Sequence, residues 1–123
     1  MTKQESVPFA VEVQVANFER SLKFYRDVLG FKLIRQDFKD GKFTAFSFNK
    51  SILMVAEVAG LKNRGAGVQL RFILPGGLKK YHDEIISRGA KIKEPINKKY
   101  YGITVFKVDD PDGFELKFAT VDK

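Results

Sequence analysis

The chain has 123 residues, 44% of them hydrophobic and 30% charged, which is the size and balance of one soluble globular domain with a core of its own. It contains no cysteine, which excludes disulfides, thiolate nucleophiles and cysteine-ligated zinc. The net charge of +7 comes from Lys and Arg scattered between Lys3 and Lys123, not gathered among aromatic residues on one segment, so a nucleic-acid partner is not expected.

No apolar run approaches the roughly 18 residues of a membrane span. The opening MTKQESVPF carries neither the apolar stretch nor the cleavage pattern of a secretory leader, so a cytoplasmic location is the expectation.

In chain order, VEVQV at 11–15 alternates and reads as a strand, with Val11, Val13 and Val15 opposite Ala10, Glu12 and Gln14. Asn17 can cap a helix in which Phe18, Ser21, Leu22, Tyr25, Val28 and Leu29 recur at helical spacing until Gly30 ends it. FKLIRQDF at 31–38 is strand-like, Asp40-Gly41 signals a hairpin into KFTAFSFN, and Asn49-Lys50-Ser51 turns into ILMVAEV. The Gly-rich and basic stretch 59–66 reads as a linker between a first module at about 7–58 and a second at about 67–120.

The plan then repeats. GVQLRFIL alternates, Pro75-Gly76-Gly77 breaks it, and LKKYHDEIISRG forms a helix ending at Gly89. AKIKEPI, YYGITVFKV and the segment after Asp110-Pro111-Asp112-Gly113 supply three more strands. This second βαβββ unit is an internal repeat of the first.

The fold class is therefore α+β: two tandem βαβββ modules forming a curved, cup-like mixed sheet with helices on its outer face. In the first, fifth and eighth strands one face is apolar and packs under the helices. The other carries Glu12, Gln14, Gln69, Arg71, Glu115 and Lys117. Charges lining a cup need ion pairs or water, and paired glutamates there would ionise more readily than usual. The structural alternative is a solvated network that keeps the sheet in solution. The phenylalanines fall mostly in alternating strand patterns and are expected in the core.

VANFERSLKFYRDVLGFKL resembles the opening module of the vicinal oxygen chelate superfamily, which includes glyoxalase I, extradiol dioxygenases and bleomycin-resistance proteins. The shared features are "S-L-x-F-Y" on the helix and "L-G-F" after it, with Asn17 in place of the usual aspartate. ILMVAE is similar to the fourth strand of the bleomycin-resistance-like branch, and DPDG before the last strand completes the likeness.

Metal-dependent members of that superfamily hold their ion with His, Gln or Glu from four strands. The resemblance puts those positions at Ala10, near Met54, at Gln69 and at Lys117. Alanine offers no donor, methionine suits a hard divalent ion poorly, and an ammonium repels a cation. Glu57 and Glu115 are out of register as substitutes. No metal and no other cofactor is therefore expected.

His82 lies on the second helix, away from the cup, and no Ser or Thr has a neighbouring base. The resemblance thus points to the metal-free branch, a small-molecule binding or sequestration protein, and leaves open whether it has any catalytic activity. Bleomycin is cationic and the chain is basic, so a neutral or anionic ligand fits better. Its expected contacts are Glu12, Gln14, Gln69, Arg71, Glu115 and Lys117, with Tyr101 and Phe106 as aromatic walls, although Phe106 suits the core equally. The alternative is a divalent-metal-dependent lyase or isomerase of glyoxalase type. The resemblance also implies a homodimer, with 100–106 or the linker 59–66 contributing to its interface.

Overall fold

A computed structural model describes residues 9–36 and 41–122. The strands are β1 (Val11–Val15), β2 (Lys32–Gln36), β3 (Phe43–Phe48), β4 (Ser51–Glu57), β5 (Gln69–Leu74), β6 (Ile92–Lys98), β7 (Ile103–Asp109) and β8 (Glu115–Val121). The helices are α1 (Phe18–Lys23) and α2 (Leu78–Ser87).

The strands form two four-stranded sheets ordered β1-β4-β3-β2 and β5-β8-β7-β6. In each the first strand runs parallel to the last and the other pairs are antiparallel. The expected α+β class and the repeated βαβββ order are both present, and neither sheet closes into a barrel.

Asn17 caps α1 as its sequence position predicts, accepting from the Arg20 N–H at 3.0 Å. Glu57, at the end of β4, accepts a second free N–H of that terminus, from Phe18 at 2.9 Å. That bond, with Lys42 beside it, holds the Glu57 carboxyl below its usual range. Glu57 thus serves the helix side of its sheet.

The helix expected to run unbroken to Leu29 instead passes into a π-helical turn at Phe24–Val28, closed by Leu29 N–H on the Phe24 carbonyl at 3.0 Å. Tyr25 within it is fully buried, and its hydroxyl donates to Asp110 Oδ2 at 2.7 Å. β2 starts one residue later than the strand expected from the sequence. Phe38 and Asp40, expected at the strand end and hairpin, lie outside the described residues.

The helix-side faces of the two sheets share one core. Phe31 of the first half meets Phe72 of the second at 5.3 Å, and Phe48 meets Phe72 at 5.7 Å and Phe118 at 5.7 Å. Polar contacts tie the same seam. Tyr81 Oη donates to the Leu29 carbonyl at 2.6 Å, and Arg88 Nε donates to that of Val28 at 2.9 Å.

The turn at 110–113 is the firmest part of this joint. Asp110 Oδ1 accepts from the N–H groups of Asp112 and Phe114, both at 2.9 Å. Asp112 accepts the Ala16 N–H at 3.0 Å, pairs with Arg20 at 3.1 Å and lies 3.8 Å from Arg64. Gly65 passes so close that a Cβ there would lie 2.1 Å from the Gly113 carbonyl oxygen, so only glycine fits.

Candidate functional site

The pleat of β5, β7 and β8 sorts the face of the second sheet that turns away from the helices, its outer face in the single chain, into rows. Register sets Gln69 beside Glu115 and Glu115 beside Asp109. Two residues along, Arg71 lies beside Lys117 and Lys117 beside Lys107. Two further along, Ile73, Ala119 and Val105 form an apolar row, followed by Val121 and Ile103.

The acidic row is well partnered. Glu115 accepts from Gln69 Nε2 at 2.6 Å and lies 3.1 Å from Lys93 Nζ and 3.7 Å from Lys107 Nζ. These contacts, the Gln69 amide foremost and then Lys93, hold its carboxyl below the ordinary range. Lys93 also reaches Asp109 at 3.3 Å, and its pKa is raised by Glu115 first and then Asp109. Lys107 sits between Glu115 and Glu94, 3.7 Å from each.

The basic row is different. Arg71 has one long contact, Nη2 to the Gln69 amide oxygen at 3.5 Å. Lys117 is 6% exposed, yet among the described residues it has no hydrogen bond or ion pair. The one side-chain N or O among those residues that is sealed from solvent without a hydrogen bond is Oδ2 of Asp122, so Lys117 Nζ opens onto the face. The sequence places Lys117 next to Glu115 along the strand, but Glu115 is bound to other groups.

The remaining expected contacts divide. Glu12 and Gln14 are exposed on the outer face of the first sheet, bonded to each other at 3.1 Å. Tyr101 is 51% exposed at the β6–β7 turn, edge-on to Tyr100 with centroids 5.0 Å apart. Phe106 faces the other way, wholly buried against Phe118, Tyr81 and His82, so of its two sequence readings it takes the core one. His82 is held by Asp83 at 2.9 Å on α2.

Lys93, Glu94, Lys107 and Asp109 join the face without being expected there from the sequence. The alternation of Val105, Lys107 and Asp109 carries the signal for two of them. Lys93 reaches the face through a register shift between Ile92 and Glu94, which alternation cannot reveal. A cleft of about 360 Å³ opens beside Gln69 and Arg71, between β5 and Val11, Ile52 and Leu53 of the first sheet.

The four positions that a superfamily metal would use do not fit an ion. Ala10 lies just before β1, Met54 is opposite Glu12, Gln69 is engaged with Glu115, and Lys117 is a cation. Among the described residues, no group of three or more His, Asp or Glu side chains could hold a metal ion.

Comparison with known proteins agrees with this architecture. The profile of the Glyoxalase/Bleomycin resistance protein/Dioxygenase superfamily matches residues 9–118, and the chain belongs to that superfamily. It is 29% identical over 115 residues to a probable lactoylglutathione lyase of Synechocystis sp., covering 85% of this chain and 88% of the relative. It is 28% identical over 116 residues to lactoylglutathione lyase of Neisseria meningitidis serogroup A, covering 86% and 84%.

Among solved structures, TioX from Micromonospora sp. ML1 superposes with a TM-score of 0.76 at 18% identity, covering 95% of this chain and 98% of its own. A glyoxalase/bleomycin resistance protein/dioxygenase from Nocardioides gives 0.74 at 15% identity, covering 99% and 87%. These two likenesses concern the fold. Members of the superfamily act on or bind small molecules, and no helix among the described residues is long and apolar enough to cross a membrane.

Proposed function

We propose that this chain is a metal-independent small-molecule binding protein of its superfamily, with a ligand that offers oxygen acceptors to the second sheet's outer face. The observation that carries this reading is Lys117, a buried side chain whose ammonium has no partner among the described residues and opens onto that face. The ammonium reaches solvent but meets no acceptor among the described residues, and a bound oxyanion would supply one. Arg71 stands next to it with its guanidinium largely free, and the net charge of +7 favours anions at long range. Gln69 and Glu115 orient the neighbouring groups. Both sheets keep their polar faces open in a single chain, which suits a homodimer in which a partner completes the enclosure.

Native mass spectrometry of protein purified without chelator, compared with the denatured mass, tests this directly. Extra organic mass and no stoichiometric divalent ion is the expected result; one bound ion per chain would contradict it. The second reading, a metal-dependent lyase or isomerase, draws on the relatives that are called lactoylglutathione lyase. It would require a donor set that Ala10, Met54 and Lys117 do not supply.

A further inference from the structure

We infer that the ligand is an amphipathic carboxylic acid, its carboxylate on Lys117 and Arg71 and its apolar body running toward Ile73 and Val121. This deepens, and rests on, the metal-independent binding reading.

Partnering of charge selects the head group. Lys93 and Lys107 are engaged with Glu94, Asp109 and Glu115, which leaves Lys117 and Arg71 as adjacent cations with no carboxylate of their own among the described residues. A planar carboxylate can accept from both, and the guanidinium fork suits its two oxygens. One compact anion saturates this pair.

The rows on either side set the direction. Toward the start of β8 lie Glu115 and Asp109, which repel an anion's continuation and offer no apolar surface. Toward its end lie Ile73, 50% exposed, and Val121, 62% exposed, flanking the buried Ala119 and Val105. Ala119 and Val105 stand outside the main core cluster, so this apolar strip belongs to the outer face. Each row is about 6–7 Å from the next along a strand, so a body reaching from Lys117 past the exposed Ile73 to Val121 spans about 13 Å. Tyr101 stands past them at the β6–β7 turn.

The test is calorimetric titration of the full chain with octanoate, acetate and octylamine, with nickel chloride titrated in parallel. Octanoate is expected to bind and octylamine not to. Affinity should rise by about fourfold per added CH₂ between short and medium chains. Lys117→Gln should weaken octanoate by at least about 30-fold, as expected for losing one partner of a desolvated charged contact. Ile73→Asp should flatten the chain-length dependence, and circular dichroism checks that each variant is folded.

Octylamine binding as well as octanoate, or acetate matching octanoate, overturns the assignment. So does an Ile73→Asp variant that splits a dimer while octanoate affinity stays the same, because the apolar row then belongs to a second copy. Nickel binding at one ion per chain overturns the metal-independent reading and this inference with it. Binding of neither nickel nor octanoate overturns this inference alone.

Discussion

The seam between the sheets and the outer face of the second sheet treat buried polar groups in opposite ways. At the seam, the buried Asp110 carboxylate accepts from Tyr25, Asp112 and Phe114, and Asp112 gathers Ala16, Arg20, Ser21 and Arg64. On the outer face, Lys117 is almost as buried and has no such partner among the described residues. Polar groups that hold the fold are satisfied within it, whereas Lys117 is left open inside an otherwise paired network. On the proposed reading, the difference separates what the chain uses to stay folded from what it offers to a ligand.

The sharpest challenge to the seam is Gly65→Ala. Its Cβ would fall 2.1 Å from backbone that cannot swing aside, and the expected loss is about 3 kcal/mol, read as a fall in the urea midpoint. Asp110→Ala strands the Tyr25 hydroxyl and the Phe114 N–H in the interior and should cost about 2 kcal/mol by the same measurement.

Lys117→Met should do the reverse, raising stability by about 1 kcal/mol while abolishing binding of oxyanions. A destabilised Lys117→Met variant would erase the contrast between the two regions.

The smallest expected effect is on pH dependence. Glu115 has a lowered folded pKa, so its contribution is complete above the ordinary carboxylate range and disappears as pH falls through that lowered value. The stability gap between wild type and Glu115→Gln should hold at neutral pH and close in acid. Asp110 has the opposite sign: burial raises its pKa above the usual value, so its ionised form weakens the fold as pH rises through that raised value. Asp110→Asn should therefore show its most favourable comparison with wild type on the neutral side.

Strand patterning makes much of this legible in the sequence. Strict alternation in VEVQV and GVQLRFIL assigns Val13, Val15, Leu70 and Phe72 to the core side, because the strand period of two leaves one register that buries them all. Similar logic places Lys117 on the open face and Glu57 on the other. What alternation cannot show is partnering. Lys117 and Glu115 are two residues apart on one strand and look like a pair, yet Glu115 is claimed across strands by Gln69, Lys93 and Lys107.

The π-helical turn is equally hidden, since Phe24 to Leu29 have helical spacing and only the packing of Tyr25 onto Asp110 distinguishes the wider turn. The linker around Arg64 and Gly65 has the composition of a spacer, but its close approach to Gly113 depends on how the two halves meet, which local sequence does not encode.

If Lys117 Nζ anchors an anionic ligand, NMR of the lysine side-chain amines will register it at the atom itself. With the Lys117 signal assigned through Lys117→Gln, octanoate should shift that signal at saturation, whereas nickel should leave it and its neighbours in place. A Lys117 signal unmoved by octanoate, together with specific broadening by nickel around Gln69, would show that Lys117 is not the anchor.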